Sequence, residues 1–337
     1  MKTTYLALLF SFAILGSSCN LFFEEEPVND PESVFEFIWQ SFDDSYAPFE
    51  ERNVNWDSLY LIYRPMVNEN TDDDSLYSVI TNMLAMLDDG HVQMTVPGKK
   101  YFFSNHIYNY QIDDALFDLN VIENNYLDNG FIKDDNEYPG FVFGTINNDI
   151  TYVNFAYIAD NLDVMNDVLD NYDTKGLIID LRHNSGGDFT WAFSNMNRLI
   201  QNRTLVFSSK TKNGTGENDY TDWYDWYIEP QTPYYSKKVV LLTDRYTISA
   251  GERTAMIFKT MSNAIVIGDT TNGAHSTMIG RDLANGWYYT LPTQKVKFAD
   301  GISYEGIGVI PDVYFKNELS DIENGIDKCL EKAIAEF

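Results

Sequence analysis

Basic residues are scarce in this 337-residue sequence: 23 Lys and Arg stand against 51 Asp and Glu, which gives a formal net charge of −28. A surface this acidic repels phosphate backbones and anionic lipids, which argues against a nucleic-acid partner and against docking of the folded surface on a membrane. The sequence contains no nucleotide-binding glycine motif, no H-E-x-x-H and no Cys/His cluster, so we expect neither a metal nor another cofactor. Hydrophobic residues make up 44% of the chain, enough for a sizeable core.

Long hydrophobic runs are also scarce, and the notable one lies at the N terminus. An apolar run over residues 5–15 follows Lys2 and is too short to span a bilayer as a helix, which is typical of a secretion signal. Small residues directly precede Cys19, and this arrangement resembles the processing site of bacterial lipoproteins, in which the cysteine is lipidated. We predict a lipoprotein signal peptide over residues 1–18 and a tether over residues 19–29. The alternative is an ordinary secretory signal in which the cysteine is incidental.

A lipidated Cys19 would fix both the location of the protein and the state of its cysteines. It predicts a protein of the cell envelope, on the periplasmic face or the cell surface of a Gram-negative bacterium, with the lipid anchor as its only membrane contact. Since Cys329 is the only other cysteine, no intrachain disulfide could then form, and the fold must rest on its core.

Apolar residues at helical spacing predict a small helical subdomain over residues 30–95. Asp30 and Pro31 provide a helix start, and a second apolar pattern ends near Gly90, a natural helix stop. Residues 96–140 are rich in Asn, Asp and Tyr without a clean period, and we expect a small insert of short strands and polar turns there.

From residue 141 onward the sequence predicts an α/β domain, which we place at residues 141–337. Continuous apolar runs at residues 176–181 and 239–242 indicate strands buried on both faces of a sheet. Helical segments are predicted after Gly187 and from Ser249, and this alternation of strands with helices favours the α/β class.

Two turns between a buried strand and a helix carry residues suited to catalysis. In the first, residues 180–187, Gly186 and Gly187 leave backbone N–H groups free to face an oxyanion, although the segment alone also fits an ordinary glycine turn. In the second, Ser249 stands at a helix start, where the helix N terminus favours developing negative charge. The same serine, with Glu252 three places on, also fits a capping box.

A serine nucleophile needs a base with a pKa near neutrality, for which histidine is the usual choice. The sequence has four histidines, and one of them, His91, follows the segment Leu-Asp-Asp-Gly. An isolated histidine is more often structural than catalytic, so the assignment depends on the whole set of motifs.

Together these segments resemble one family, the tail-specific or C-terminal processing serine peptidases. The motifs L-x-D-G-H, D-L-R-x-N-x-G-G, S-A-x-E and G-x-G-V-x-P-D occur in the family's order at residues 87–91, 180–187, 249–252 and 306–312. The resemblance implies a ClpP/crotonase-like α/β core and a peptidase that acts on peptides or unfolded proteins. The family often carries a PDZ domain before this core, but residues 96–140 are short for one and show no clear carboxylate-binding loop.

Within the family, the residues match the tricorn-protease branch better than the Ser–Lys branch. Ala274 stands where the Ser–Lys branch has its lysine, and Met278 where it has a glutamine. The tricorn-like branch implies Ser249 as the nucleophile, His91 as the general base, and Glu305 as the acid that orients the imidazole.

The resemblance also implies an oxyanion hole made of the Ala250 N–H and the N–H of Gly186 or Gly187. In the tricorn protease a serine precedes the catalytic histidine and links it to the glutamate. Here that position is Gly90, so the link is direct, water-mediated or absent. His275 is a rival base. We expect His91 to lie within or slightly beyond hydrogen-bond reach of Ser249.

Two functions are therefore compatible with the sequence. The first is a serine-type peptidase of the cell envelope that hydrolyses peptides or unfolded proteins. The second is a catalytically inactive lipoprotein that binds peptides or small ligands on the same fold. Retention of Ser249, His91 and Glu305 together favours the first.

Overall fold

The computed structural model describes residues 28–134, 140–283 and 285–337. The predicted signal peptide, the predicted lipidation site Cys19 and the tether up to residue 27 lie outside the described residues. In the described part of the chain, no helix is both long enough and apolar enough to cross a membrane.

The N-terminal part is helical, as the apolar spacing predicts. Its helices are α1 (Pro31–Ser45), α2 (Trp56–Tyr63) and α3 (Asp73–Ala85). The side chains of Asp30, Asn55 and Asp72 cap them by accepting from a backbone N–H of the first turn, which has no acceptor inside the helix. The eight residues of α2 form only about two turns, too short a segment for the periodicity to reveal it.

The remaining helices and the strands follow in chain order. The helices are α4 (His106–Asn109), α5 (Leu119–Asn125), α6 (Met165–Asp170), α7 (Phe189–Asn195), α8 (Ala250–Lys259), α9 (Leu319–Glu323) and α10 (Lys328–Ile334), with 3-10 turns at Arg64–Met66, Asp114–Leu116, Asp160–Val164 and Asn197–Leu199. The strands are β1 (Gln93–Thr95), β2 (Phe102–Phe103), β3 (Ile132–Asp134), β4 (Phe141–Ile146), β5 (Ile150–Phe155), β6 (Gly176–Asp180), β7 (Thr204–Thr211), β8 (Tyr224–Ile228), β9 (Lys238–Thr243), β10 (Ala264–Gly268), β11 (Met278–Asp282), β12 (Tyr288–Pro292), β13 (Gln294–Phe298) and β14 (Val313–Tyr314).

A seven-stranded sheet forms the centre of the fold, in the order β14-β10-β9-β6-β5-β4-β3. Its strands from β14 to β5 are parallel, and β4 and β3 complete it as antiparallel strands. Two smaller antiparallel sheets have the orders β11-β12-β1-β2 and β13-β7-β8. This arrangement confirms the predicted α/β class.

Apolar cores cover both faces of the central sheet. Neighbouring residues of one strand face opposite sides, so Val153 joins the core under α6, α7 and α8, whereas Tyr152 joins the core under α5 and α10. In the same way Leu241 of β9 faces the first core and Leu242 the second. Burial on both faces explains the continuous apolar runs in the sequence.

A third core joins the N-terminal helices to a hairpin from the C-terminal half of the chain. Phe42 of α1 stacks on Tyr289 of β12, with ring centroids 6.0 Å apart, and Leu291 belongs to the same core. In the segment expected to be an insert of short strands and turns, the described residues 96–134 contain helices α4 and α5 as well as the short strands β2 and β3, so that expectation left out the helices.

Candidate active site

Ser249 lies in the turn between β9 and α8, as the N-cap residue of the helix. Its backbone has φ 58° and ψ −117°, a conformation that costs a residue with a side chain about 1–3 kcal/mol. Glu252 in the first turn of α8 holds this conformation, since its Oε2 accepts the Ser249 N–H at 3.1 Å. A strained serine at a strand-to-helix turn is the arrangement that exposes a nucleophilic hydroxyl.

The glycine turn after β6 packs directly against Ser249. Strands β6 and β9 are parallel neighbours, so the turns that follow them lie at the same edge of the sheet. The Ile248 N–H donates to Asn184 O at 3.1 Å, and a Cβ on Gly186 would lie 2.9 Å from the Ser249 Cβ. Only glycine permits this approach, so the two turns that the sequence singled out are in contact.

The backbone donors near Ser249 differ in their availability. The Gly186 N–H donates to Asn184 Oδ1 at 3.0 Å and is therefore occupied. Among the described residues, the structure gives no acceptor to the N–H of Gly187 or of Ala250. Of the two glycines that the sequence left open, the geometry therefore favours Gly187 as the partner of Ala250 in an oxyanion hole.

His91 lies in the turn between α3 and β1. Its N–H donates to Asp89 Oδ1 at 2.8 Å, and its carbonyl accepts from Thr290 Oγ1 at 2.8 Å, so its backbone is fixed at both ends. The residue is 5% exposed. Burial lowers the pKa of the imidazole from 6.5 to about 4, so the ring is neutral at neutral pH, as a general base must be.

Ser249 and His91 line the same cleft, which has a volume of about 790 Å³. Gly187 lies on its wall beside Ser249. The other lining residues are mainly aromatic, apolar and uncharged polar: Gly90, Gln93, Lys100, Tyr101, Phe103, Tyr108, Asn109, Gln111, Tyr157, Ser185, Ile248 and Met278. Within the described residues, no hydrogen bond joins the His91 ring to the Ser249 hydroxyl, as is common for catalytic pairs before substrate binds.

Glu305 is buried and makes its hydrogen bonds with groups other than the imidazole of His91. Its Oε1 accepts from Arg52 Nη2 at 2.7 Å, and its Oε2 accepts the N–H groups of His275 and Ser276 at 2.9 and 3.0 Å. His91 Nδ1 is buried and has no hydrogen-bond partner among the described residues. Of the links that the sequence left open, the direct contact between Glu305 and His91 is therefore not present.

His275 does not line the cleft. It is fully buried, its Nε2 lies 3.1 Å from Tyr304 O and 3.8 Å from Glu252 Oε1, and its ring packs edge-on against Phe298. Burial lowers the pKa of this imidazole as well. Because the ring faces a backbone carbonyl inside the core rather than the cleft, its position does not suit it to serve Ser249.

Two charged residues beside this site, Arg52 and Asp89, were not predicted from the sequence. The Nε of Arg52 lies 3.0 Å from Asp89 Oδ2, and both side chains are buried. Asp89 stands within the D-G-H segment, so its place before His91 was a usable signal. Arg52 belongs to no motif, and its only distinguishing feature in the sequence is that basic residues are few in this acidic chain.

Two protein-family models match parts of this chain. Residues 149–315 match the model of peptidase family S41, and residues 27–85 match the model of the tricorn protease C1 domain. The chain belongs to peptidase family S41. The S41 match contains Ser249 and the glycine turn, whereas His91 and Arg52 lie outside it. The family predicted from the four motifs is thus confirmed, and the Ser/His/Glu roles stay a prediction.

Several known proteins resemble this S41 chain. It is 30% identical over 155 residues to the carboxy-terminal processing protease CtpA of Bacillus subtilis, a match covering 46% of the chain and 31% of that protein. A crystal structure of a Parabacteroides merdae protein assigned as a peptidase has a TM-score of 0.80 at 26% identity, over 91% of this chain and 96% of the other. The tricorn protease has a TM-score of 0.58 at 18% identity, over 91% of this chain and 36% of the other, which shows a shared fold.

The matches to curated relatives cover only part of those proteins. The matched segment spans 31% of the Bacillus subtilis protein and 31% of the chloroplastic C-terminal processing peptidase of Tetradesmus obliquus.

Proposed function

We propose that this S41 chain is a serine peptidase that hydrolyses peptide bonds in peptides or unfolded proteins, with Ser249 as its nucleophile and His91 as its general base. The observation that carries the proposal is that both residues line one cleft, although they come from different halves of the chain. The strained backbone of Ser249 supports the same assignment, because such strain persists mainly where function requires it.

The proposed reaction uses groups already positioned around the cleft. The neutral His91 ring accepts the Ser249 hydroxyl proton as the oxygen attacks the scissile carbonyl carbon, and the Ala250 and Gly187 N–H groups stabilise the resulting oxyanion. The protonated imidazole then donates its proton to the leaving amine as the C–N bond breaks. Water hydrolyses the acyl-enzyme by the same steps in reverse, which restores both residues.

The size and lining of the cleft support an extended peptide as substrate. Its volume of about 790 Å³ exceeds the need of a single side chain, and aromatic rings from Tyr101, Phe103, Tyr108 and Tyr157 offer apolar contact area. Cleavage near a free C terminus, as the names of the curated relatives indicate for those proteins, is part of the proposal for this chain.

The proposed location is the cell envelope of a Gram-negative bacterium, with the chain anchored by lipid on Cys19. This part rests on the residues before the described structure, where small residues precede the cysteine. Mass spectrometry of the N-terminal peptide from cells tests it, because lipidation adds a diacylglyceryl mass to a peptide that begins at Cys19. A peptide that retains residues 1–18, or one with an unmodified cysteine, would contradict it.

Labelling with a fluorophosphonate near neutral pH tests the catalytic assignment. We expect wild type to be labelled at Ser249, Ser249→Ala to be unlabelled, His91→Ala to lose nearly all labelling, and folded His275→Gln to keep it. Circular dichroism establishes that each variant is folded. Absence of labelling in folded wild type would favour the alternative, a binding protein that has lost catalysis. The observation that favours this alternative is that His91 Nδ1 has no hydrogen-bond partner among the described residues to orient the ring.

A further inference from the structure

A buried cluster of charges lies beneath the turn of His91. Arg52, Asp89 and Glu305 are at most 6% exposed at their side chains, and Tyr46 beside them is 1% exposed. Arg52 forms ion pairs with both carboxylates, 3.0 Å to Asp89 Oδ2 and 2.7 Å to Glu305 Oε1. None of these four residues lines the cleft. The proposed reaction therefore does not explain why these charges are buried together.

One side of the cluster holds the backbone of the proposed base. Asp89 Oδ1 accepts the His91 N–H at 2.8 Å, while its Oδ2 accepts the Tyr46 hydroxyl at 2.8 Å. Arg52 also donates through Nη1 to the Asp88 carbonyl at 2.5 Å. The guanidinium thus holds the turn that carries His91 at two points, by a hydrogen bond to the Asp88 carbonyl and by an ion pair with the Asp89 carboxylate.

The other side of the cluster holds the loop that packs against the serine. Arg52 Nη2 donates to Gly273 O at 2.8 Å. The Gly273 N–H donates in turn to Glu252 Oε1 at 2.7 Å, and Glu252 Oε2 accepts the Ser249 N–H at 3.1 Å. Glu305 holds the next residues of this loop through the N–H groups of His275 and Ser276.

We propose that Arg52 is a positioning residue that fixes the His91 turn against the Ser249 turn, and that Glu305 acts on the site through Arg52 rather than through the imidazole. A planar guanidinium with five donors can bond two carbonyls and two carboxylates at once, which a lysine ammonium cannot do. This inference rests on the proposed function of Ser249 and His91. The experiment below can disprove either one independently of the other.

The charge of Arg52 also sets the environment in which His91 titrates. The charged groups that act on the imidazole are the carboxylates of Asp89 and Glu252, which raise its pKa, and the guanidinium groups of Arg253 and Arg52, which lower it. Removal of Arg52 would leave Asp89 without its cation, so the imidazolium would be stabilised and the pKa of His91 would rise.

The test compares Arg52→Lys, Arg52→Gln and wild type in the full-length protein. We expect Arg52→Lys, which keeps the charge, to lower the second-order rate constant of fluorophosphonate labelling at Ser249 by about tenfold to a hundredfold, because the turns lose their alignment. We expect Arg52→Gln to lower it at least as much and to shift the His91 titration upward by about one pH unit. That titration is read from the ring carbon resonances of the four histidines, independently of activity.

Arg198→Lys is the matched control. Arg198 is also buried, being 6% exposed, and its Nη2 lies 2.6 Å from Asp170 Oδ1. Neither residue lines the cleft. We expect Arg198→Lys to lower the melting temperature while leaving both the labelling rate constant and the His91 titration as in wild type. If both Arg52 variants unfold, the double variant Arg52→Gln/Glu305→Gln, which replaces both members of this pair, is measured instead.

Folded Arg52 variants that label at the wild-type rate, with His91 titrating as in wild type, would overturn the inference and leave the proposed function intact. If wild type is not labelled at all, the proposed function fails, and the histidine titration still decides whether Arg52 controls the environment of His91. A shift in Arg52→Gln that is missing in Arg198→Lys supports the inference in either case.

Discussion

The Glu305 carboxylate accepts a hydrogen bond from Arg52 Nη2 at 2.7 Å. Arg52 comes from the turn after α1 and Glu305 from the segment before the final G-x-G-V-x-P-D motif, so the contact ties the two ends of the described chain together at the proposed site. Burial raises the pKa of Glu305 and Arg52 opposes this rise. A residue that the motif pattern assigns to the imidazole is therefore bonded to Arg52 instead.

The labelling reaction should stay active well below pH 6. Because burial lowers the pKa of His91 to about 4, the ring stays neutral and able to accept a proton down to that pH. We expect the acid limb of the labelling rate constant to have its midpoint near pH 4, measured over the range in which circular dichroism shows a folded protein. A midpoint near 6.5, the value of an exposed histidine, would contradict the burial of the imidazole.

Stability should depend on pH through the same histidine. The pKa in the folded state, about 4, is below the unfolded value of about 6.5, so the unfolded chain binds more protons between these values and stability falls as the pH falls. For His91 this loss amounts to about 2 kcal/mol between pH 7 and pH 5. Urea unfolding of wild type and His91→Gln at both pH values measures this loss. We expect the free energy of unfolding of the variant to fall by about 2 kcal/mol less than that of wild type between pH 7 and pH 5. Equal losses would show that His91 is not responsible.

Replacement of Ser249, the proposed nucleophile, should reveal the strain in its backbone. The backbone of residue 249 has φ 58° and ψ −117°. An alanine here keeps the Cβ atom that makes this conformation strained for serine, whereas a glycine adopts it readily. Even after the greater freedom of glycine in the unfolded chain is counted, we expect Ser249→Gly to be about 1 kcal/mol more stable than Ser249→Ala. Urea unfolding compares the stabilities of these two variants directly. A more stable alanine variant would argue against strain at this turn.

Gly90 should tolerate a serine only when Ile248 is shortened. A Cβ at residue 90 would lie 2.4 Å from Ile248 Cδ1, so Gly90→Ser alone should cost about 1–3 kcal/mol of stability. Ile248→Val removes that methyl group, and the serine should cost about 1 kcal/mol less in this background. A double-mutant cycle by urea unfolding measures the coupling. Additive effects would mean that another contact excludes the side chain.

Lys100 should favour substrates that carry a carboxylate. It lines the cleft, and among the lining residues of the described chain it is the only lysine or arginine. With a library of peptides that differ in the position of one acidic residue, we expect Lys100→Gln to raise KM for the preferred acidic peptides several-fold and to leave kcat and neutral peptides nearly unchanged. Lys99→Gln is the control, because the neighbouring Lys99 is paired with Asp74 and does not line the cleft. Equal effects of both variants would point to general charge rather than to a subsite.

Local patterns in the sequence were enough to predict the class of fold and the segments that bear the chemistry. The buried strands β6 and β9 read as continuous apolar runs because both faces of the central sheet are covered. Strand β11, whose residues are largely exposed, offers no such run and escaped prediction, as did β7 and β8. The order of four short motifs identified the family, since each motif is formed by residues adjacent in the chain.

The relations between those motifs were decided by the tertiary structure alone. His275 faces a carbonyl in the core and Glu305 is bonded to Arg52 through contacts between residues far apart in sequence. Among the described residues, the Gly186 N–H is occupied by the side chain of Asn184 whereas the Gly187 N–H has no acceptor, and this difference also depends on the folded geometry of the turn. A sequence states which donors, acceptors and charges exist, and a hydrogen bond is set by distance and direction within a few tenths of an ångström. The chain determined the identity of the reactive groups, whereas packing of the N-terminal helices against the C-terminal hairpin determined which of them meet.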